Sequence, residues 1–597
     1  MRTAPFSTGS LQTFPCFRMG VRTLAKGFYF KLAWANIRRS REVYLPYLIA
    51  CAIIGGIYFL VCGFAMSGEL AGVPGGESAR ALFQMGVIVF TVFAAGFLLS
   101  INRFLVKRRK REFGLYGVLG LSKAHVGRIL LLENAIVLLG GLACGLVFAL
   151  VFGKLLFLLL LKLMHALPQN EFRPAPVAYL ATAALFLGVY FVSSLYNLAQ
   201  VHLANPIQLL QSEKRGEKDS KLVIPMALIG AAMLGVAYYF AWTVEHSGTA
   251  MGIFFLLVLL VILATNLLFT SGSIAVLRAL RANKSLYYKP QNFVSVSGMF
   301  HRMRQNASSL ATICILSTMF LVTLCGTLSL YLGQEKTLAP QYPYDVQVSG
   351  YAPYHDRLGA DAKLAALAEE HNVVMHADES GLNYHNYVEG EANPDGTVYP
   401  SSELYMQPHS LYLDGTLHFD LEGAEEDREA FLDAARQLSM VLKNEAGEDV
   451  TYYYGVRDIW SARQESYGMY GGLLFLGAFF AILFLAVTVL MIYFKQITEG
   501  YEDKERFDIL QQVGMDEKQV RGTINAQVLW VFFLPLVTAL LHMVFASRIL
   551  TRMLQSFMLY DWVLVLCCAL GVSAAFALIY LIAYRVTARA YFKIVKR

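Results

Sequence analysis

The stretch that decides the fold is residues 103–123, RFLVKRRKREFGLYGVLGLSK. It overlaps the end of an apolar segment, residues 82–104, that is long enough to cross a membrane. The basic residues 107–111 mark the cytosolic end of this segment, because cytosolic loops carry the excess of Lys and Arg. Apolar side chains then recur at intervals of three and four residues, which is the spacing of a short amphipathic helix. The stretch predicts a membrane span and then a helix beneath the membrane with a face to offer a partner.

The same arrangement recurs near the C-terminus. A second apolar segment, residues 470–493, is followed by residues 495–524, KQITEGYEDKERFDILQQVGMDEKQVRGTI. Aligning Gly514 with Gly120 also aligns five apolar pairs in one register: Phe507 with Phe113, Ile509 with Leu115, Val513 with Leu119, Met515 with Leu121, and Val520 with Val126. Two unrelated amphipathic helices would share a period, but here a glycine and the flanking spans agree as well. An internal duplication is therefore favoured over two unrelated helices.

In both copies a charged residue, a Phe, a small or acidic residue, aliphatic residues and a Gly-aliphatic pair lie between two spans. This pattern resembles the FtsX-like permeases of bacterial ABC transporters, over most of the chain. Residues 205–210, NPIQLL, and 31–39, KLAWANIRR, are similar to the Bce-type subgroup. The resemblance implies that each copy couples to an ATPase through a small set of residues: Arg111, Glu112, Phe113, Leu115, Leu119 and Gly120 in the first copy, and Arg506, Phe507, Ile509, Val513 and Gly514 in the second.

Composition places the whole chain in a membrane. Of its 597 residues 56% are hydrophobic, and the mean hydropathy is +0.49, which excludes a soluble enzyme. The eight cysteines show no metal-ligand or CxxC spacing. We predict an all-α polytopic membrane protein with ten transmembrane helices in two FtsX-like halves and one small α/β extracellular domain. The ten spans are 44–66, 82–104, 127–153, 177–201, 222–244, 251–280, 309–332, 469–494, 524–547 and 562–584.

The distribution of basic connections predicts the orientation in the plasma membrane. An even number of spans puts both termini on one side, and the basic loops fall alternately on that side, which is then the cytosol. The third span is too long for a bilayer, because apolar residues continue to Met164, so we expect it to project outward or bend near Gly153 and Lys154. The predicted domains are a tail with an amphipathic helix, 1–43, a first unit, 44–201, a linking helix pair, 222–280, span 7, 309–332, the extracellular domain, 336–465, and a second unit, 469–597.

The one large hydrophilic block, residues 336–465, is strongly acidic. It carries 24 acidic and 8 basic side chains, a net charge of −16, in a chain whose net charge is +7. Strands are predicted at 344–348, 373–376, 410–419 and 450–456, and helices at 361–370 and 425–442. Acidity serves solubility, but it also concentrates cationic peptides. We single out three carboxylates remote from helix starts as candidate ligand-binding groups: Glu389, Glu391 and Asp395.

The sequence contains no motif for nucleotide binding, metal binding or nucleophilic catalysis. No GxxxxGK[ST] motif occurs, so an ATPase has to be a separate polypeptide. The histidines lack metal-site spacing, and no nucleophile motif is present. Glu133 is a candidate intramembrane polar group, about one turn into the third span and close enough to the cytosolic interface for its carboxylate to reach water; its counterpart is Gln527. We expect no catalytic residue, no metal and no cofactor in this chain.

The resemblance implies a permease subunit that works with two copies of a cytosolic ABC ATPase, which bind ATP and Mg. ATP-driven closure would act on an extracellular domain that engages a peptide antibiotic or a lipid-linked wall precursor and releases the target. Some relatives signal to a membrane histidine kinase. Membrane lipid is a partner, and nucleic acid is not expected. The alternatives are an FtsX-like system that acts on lipoproteins or cell-wall hydrolases, a secondary transporter, and a sensor without an ATPase.

Overall fold

The computed structural model describes residues 27–118, 121–167, 172–203, 222–283, 285, 290–351, 357–377, 414–443, 449–512 and 517–595. The first seven helices are α1 Phe28–Arg39, α2 Arg41–Ala65, α3 Gly68–Ala71, α4 Gly76–Arg108, α5 Lys110–Val118, α6 Lys123–Leu163 and α7 Pro176–Leu203. The next four are α8 Val223–Thr243, α9 Ser247–Leu267, α10 Ser273–Ala282 and α11 Pro290–Leu338. The last five are α12 Arg357–Glu370, α13 Glu425–Arg436, α14 Ile459–Gln512, α15 Glu517–Gln555 and α16 Trp562–Val595.

Within the part of the chain that the structure describes, ten helices are long and apolar enough to cross a membrane. One of them, Ser247–Ala282, joins α9 and α10 through the π-helical turn Leu268–Gly272. The other nine lie in α2, α4, α6, α7, α8, α11, α14, α15 and α16. The predicted all-α polytopic fold with ten spanning helices and a small α/β domain is confirmed.

Helix α6 continues through the position where a bend was one expectation. It runs without interruption from Lys123 to Leu163, and Gly153 and Lys154 are ordinary helical residues. Its 41 residues correspond to about 60 Å at 1.5 Å per residue, roughly twice the hydrocarbon thickness of a bilayer. The helix is overlong and has no interruption at Gly153, and the outward projection or bend of the third span stays a prediction.

The chain divides into two compact units that interleave along the sequence. One unit comprises Met1–Ile49, Leu99–Gly140 and Leu187–Gly216, and the other comprises Ala50–Leu98, Gly141–Phe186 and Glu217–Arg597. The domain limits drawn from the sequence stay predictions.

The larger unit has an aromatic core and one very close helix contact. The ring of Phe64 lies 5.5 Å from that of Phe83 and 5.8 Å from that of Phe475, measured between centroids. Segments of α2 and α6 meet at Gly56 and Gly145, where a Cβ on Gly145 would come within 2.5 Å of the Ala52 carbonyl oxygen. Only glycine permits this approach, in the manner of small residues at membrane helix interfaces.

The α/β domain lies between α11 and α14. Its strands are β1 Val346–Tyr351, β2 Val374–Ala377, β3 Asp414–Glu422, β4 Ser439–Lys443, β5 Asp449–Tyr453 and β6 Gly455–Asp458. Four of them form an antiparallel sheet in the order β2-β3-β1-β6, with Val346 opposite Phe419 and Asp458, and β4 pairs with β5. Side chains of the sheet and of both helices form a separate core around Val346, Leu364, Phe419 and Phe431.

The predicted helix 425–442 is too long. Helix α13 ends at Arg436, and residues 439–443 form β4 instead. The reason is tertiary, since Ser439 to Lys443 pair in register with Tyr453 to Asp449, and no helical period in the sequence reports that pairing. The predicted start at Glu425 is confirmed, with Glu425, Glu426 and Asp427 in the first turn.

Candidate coupling site of the first repeat

Helix α5 carries the first set of predicted coupling residues and begins after a one-residue break. Arg109 separates it from α4, and the Arg109 N–H bonds to the carbonyl oxygens of both Leu105 and Val106 at 3.2 Å. The Arg109 carbonyl then accepts the N–H of Phe113 at 3.2 Å, which starts the new helix. Glu112 lies in the first turn, where a carboxylate favours the helix dipole. The expected short helix is present.

The inner face of α5 is apolar and closed. The side chain of Phe113 is 7% exposed and packs in a cluster of buried residues with Val106, Val126, Leu130 and Val201. Phe113 is one of the residues predicted to contact an ATPase, but the structure places its side chain inside this cluster. It therefore holds α5 against its own unit, because burial of a large aromatic side chain contributes about 1.5–3 kcal/mol.

The outer face of α5 exposes two apolar side chains. Leu115 is 52% exposed and Val118 is 63% exposed. They are three residues apart, so they share one face of the helix. Leu115 is one of the predicted coupling residues, whereas Val118 is not. Among the described side chains of α5, these two form an exposed apolar surface that a partner can reach.

Glu133 of α6 and Arg109 form a buried ion pair in the same unit. Their side chains are 2% and 3% exposed, Arg109 Nη1 contacts Glu133 Oε2, and Arg109 Nη2 donates to Glu133 Oε1 at 3.3 Å. The expectation that the Glu133 carboxylate reaches water at the interface is wrong. A buried carboxylate is retained only with a partner, and a cation of the basic block supplies one.

Helices α1 and α2 provide further partners for Glu133. Asn36 Nδ2 donates to Glu133 Oε1 at 2.8 Å, and the Tyr44 hydroxyl donates to Glu133 Oε2 at 2.8 Å. Tyr116 of α5 donates to Asn36 Oδ1 at 3.4 Å. We call Asn36, Tyr44, Arg109, Glu112 and Glu133 the Glu133 network. It joins α1, α2, α5 and α6 within one compact unit.

The charge of Arg109 is fixed by its surroundings. Burial opposes a charged guanidinium, but the adjacent oxygens of Tyr44 and Glu133 outweigh it and raise the pKa of Arg109 above its ordinary value. Arg109 Nε also donates to Glu112 Oε2 at 2.7 Å. Its guanidinium lies over the rings of Tyr44 and Phe113, at 5.4 and 5.5 Å from their centroids. The cation therefore contacts carboxylates and aromatic faces at once.

The remaining predicted residues are placed less completely. Arg506, Phe507 and Ile509 lie in α14 and Gln527 lies in α15, and of their side chains nothing further is described. The same holds for Arg111 in α5. The other predicted site residues fall outside the described residues: Leu119, Gly120, Glu389, Glu391, Asp395, Val513 and Gly514.

Sequence reasoning missed Arg109, Asn36 and Tyr44 as partners of Glu133. The signal that could have found Arg109 is the adjacency of a basic block to a carboxylate inside a span, since such a charge requires a counterion. Two further buried polar groups lie elsewhere. Asn102 donates to Asn197 at 2.9 Å in the unit that holds α5. In the other unit His542 contacts the hydroxyls of Tyr238 at 2.6 Å and Thr265 at 3.0 Å.

Metal binding has no support in this region. No group of three or more His, Cys, Asp or Glu side chains that could hold a metal ion occurs among the residues that the structure describes. The site built from these contacts is mechanical in character: a short helix with an exposed apolar face, held from behind by an apolar cluster and a buried ion pair.

Comparison with known proteins agrees with this arrangement. Residues 85–206 and 478–591 each match the family model described as FtsX-like permease C-terminal. The two matches begin nearly 394 residues apart, the offset of Gly120 and Gly514, so the internal duplication is supported independently.

Three curated bacterial proteins are similar over nearly their whole length. The ABC transporter permease protein YxdM of Bacillus subtilis (strain 168) is 23% identical, over 87% of this chain and 93% of that protein. The uncharacterized ABC transporter permease YvcS of the same organism is 21% identical, over 92% and 96%. The bacitracin export permease protein BceB of Bacillus subtilis (strain 168) is 20% identical, over 87% of this chain and 93% of that protein. The resemblance of this chain to the FtsX-like permeases of ABC transporters, most of all to the Bce-type, is thereby confirmed.

Proposed function

We propose that this chain is the permease subunit that couples ATP hydrolysis by separate ATPase subunits to its α/β domain. The observation that carries the proposal is α14, one helix of 54 residues, Ile459–Gln512. It begins directly after β6 of the α/β domain, includes a membrane span, and ends with the coupling residues Arg506, Phe507 and Ile509. No linker interrupts it, so a movement at one end reaches the other.

The start of α14 is fixed to the α/β domain by specific contacts. Asp458, the last residue of β6, accepts the N–H of Ser461 at 2.7 Å as a helix cap. Its other oxygen accepts from Arg436 of α13 at 2.7 Å. The Ile459 N–H bonds to the Asp345 carbonyl at 2.9 Å. The domain and the helix are therefore one connected element of the larger unit.

In the proposed complex two ATPase copies bind ATP and Mg, one at each repeat. The first copy contacts Leu115 and Val118 of α5, and the second contacts the end of α14. Both coupling segments and both termini face the cytosol in this arrangement, and the α/β domain faces outward. The similarity to ABC transporter permeases supports an ATPase partner, and the two matched segments support two docking positions.

Docking is tested by placing charge on the exposed face of α5. In Leu115→Asp/Val118→Asp we expect the amount of ATPase that copurifies to fall to about half, because a few apolar anchors carry most of the energy of such contacts. Adding Phe507→Asp and Ile509→Asp is expected to remove the rest. Val441→Asp is the matched control, since Val441 is 61% exposed but lies in the α/β domain. Undiminished copurification with all four changes contradicts docking at these segments.

We propose that the ligand is a cationic peptide antibiotic, or its complex with a lipid-linked wall precursor, which the α/β domain releases from its target. The support is the net charge of −16 on residues 336–465 and the similarity to a permease named for bacitracin export. Transmission of the occupied state to a membrane histidine kinase belongs to the same proposal. An action on lipoproteins or cell-wall hydrolases is the competing outcome.

Two triple variants, each of which removes three negative charges from the α/β domain, test the recognition of a cationic peptide. Glu389→Gln/Glu391→Gln/Asp395→Asn is expected to slow association of a cationic peptide with the full chain in nanodiscs by about tenfold at low salt. The control, Glu425→Gln/Glu426→Gln/Asp427→Asn, removes carboxylates that stabilise the start of α13. Equal slowing in both variants would reduce the effect to net charge. No peptide binding at all, with a cell-wall protein retained, would favour the competing outcome.

A further inference from the structure

The Glu133 network leaves no freedom to the carboxylate at its centre. One oxygen of Glu133 accepts from Asn36 and Arg109, and the other accepts from Tyr44 and contacts Arg109. A buried carboxylate with this many donors has one low-energy orientation, because any other leaves a buried polar group without a partner. The elements that supply the donors are thus held in one arrangement.

Arg109 links Glu133 to α5. It lies in the break between α4 and α5, and its Nε bonds to Glu112 in the first turn of α5. Its guanidinium also lies over the ring of Phe113, the residue that anchors the inner face of α5. A displacement of α5 relative to α6 therefore has to break the contacts of Arg109 with Glu112 and Phe113, or else to move the pair of Arg109 and Glu133.

The two positions of the second repeat that align with this pair do not carry opposite charges. In the register that aligns Gly120 with Gly514, Asp503 takes the place of Arg109 and Gln527 takes the place of Glu133. An aspartate and a glutamine cannot form an ion pair. The second repeat also has no break at this position, since α14 continues through Asp503 to Gln512.

We propose that the pair of Arg109 and Glu133 is a positioning joint that carries a movement of α5 to α1, α2 and α6. In the second repeat the continuous helix α14 performs this task, and in the first repeat the ion pair bridges the break instead. Arg109 and Glu133 are therefore positioning residues for the coupling, and the inference rests on the proposed function.

The test separates positioning from stability by removing both charges together. A single change leaves one buried charge unpaired and endangers folding, whereas a buried ion pair replaced by apolar residues of similar volume often folds as well as before. Arg109→Met/Glu133→Leu is therefore the central variant. The matched control is Asn102→Val/Asn197→Val, which removes another buried polar pair of the same unit without touching α5.

The first readout uses the chain alone. Spin labels are attached at Leu115→Cys and Leu139→Cys, two exposed positions of the same unit, in a background in which the eight native cysteines are replaced. We expect the distance distribution between the labels to broaden in Arg109→Met/Glu133→Leu and to stay narrow in the control. Thermal unfolding of the same samples confirms that both variants fold.

The second readout uses the assembled complex. ATP hydrolysis in response to a cationic peptide is expected to fall about tenfold or more in Arg109→Met/Glu133→Leu, within the range typical of coupled sites, while the ATPase still copurifies. A narrow distance distribution together with an unchanged response overturns the joint. Equal broadening in the control also overturns it. Absence of any copurifying ATPase with the native chain refutes the proposed function, and the label distances then still decide whether the pair positions α5.

Discussion

The two repeats align in one register, with Gly120 and Gly514 394 residues apart, but the helices that carry their predicted coupling residues differ. In the first repeat these residues lie in the short helix α5, and in the second repeat Arg506, Phe507 and Ile509 lie in the long helix α14. Yet the first repeat breaks at Arg109, while α14 runs on through Asp503. A single register thus accommodates two solutions, a jointed helix held by an ion pair and an unbroken one.

The difference teaches that two copies in one register can differ in the continuity of the helix that leads to the predicted coupling residues, and that the residues at aligned positions differ as well. A cation at 109 has a buried carboxylate to meet at 133. At the aligned positions the second repeat has an acidic residue, Asp503, and a neutral amide, Gln527. In the first repeat the pair of Arg109 and Glu133 holds α5 from the side, so α5 does not need to be continuous with α4 to be held in place.

The largest expected effect comes from removing one charge of the first repeat. Arg109→Met leaves the Glu133 carboxylate buried without a counterion, which costs about 3–5 kcal/mol of unfolding free energy. The aligned change Asp503→Met strands no charge at Gln527, so we expect less than about 1 kcal/mol. Denaturant unfolding of both variants in lipid nanodiscs measures the contrast. Equal losses would refute the difference between the repeats.

Proline tests the continuity of the helices at aligned positions. Lys110→Pro occupies the first residue of α5, where proline is tolerated, whereas Lys504→Pro lies inside α14 and is expected to cost about 3 kcal/mol or more. Thermal unfolding compares the two variants, and circular dichroism reports the loss of helix. A larger loss in Lys110→Pro would mean that the break at Arg109 does not exist in the membrane.

The cap of α14 sharpens the comparison at the other end of that helix. Asp458→Ala removes the hydrogen bond to the Ser461 N–H as well as the pair with Arg436, and loss of the cap alone is expected to cost about 0.5–2 kcal/mol. Asp433→Ala is the control, because it removes only the exposed ion pair with Arg436. Hydrogen exchange at the start of α14 should rise in the first variant alone. Equal rates of hydrogen exchange in both variants would show that the Asp458 cap does not stabilise the start of α14.

The smallest expected effect distinguishes the buried pair from an exposed one. In the second repeat Asp561 forms an ion pair with Lys336, whose side chain is 60% exposed, and the hydrogen bond from Lys336 lowers the pKa of Asp561 below its ordinary value of 3.8. Its stabilisation is therefore full above about pH 4 and is lost only as the pH falls further. We expect Asp561→Asn to change the melting temperature little at pH 7, and this small change to shrink as the pH falls below about 4. A loss that already appears between pH 7 and pH 5 would contradict this assignment.

Much of the architecture was predictable because it follows from periodicity. The ten spans, the acidic α/β domain and the register of the repeats depend on apolar spacing and charge, which the sequence displays directly. The inward position of Phe113 was not predictable, since a helix with apolar residues on both faces does not reveal which face its own unit covers. The network around Glu133 was not predictable for a related reason: Asn36, Tyr44 and Arg109 lie 97, 89 and 24 residues from Glu133 in the chain and meet it only through tertiary packing.

The length of α14 has a geometric consequence. A helix of 54 residues extends about 80 Å, so a tilt of about 5° about one end moves the other end by roughly 7 Å. Such a lever converts a small rotation of the α/β domain into a displacement larger than one helical turn. The relation also holds in reverse: a displacement of Gln512 by the length of one helical turn, about 5.4 Å, would rotate the domain by only a few degrees. In the proposed coupling, a small angle at the α/β domain would thus correspond to a large distance at the far end of α14.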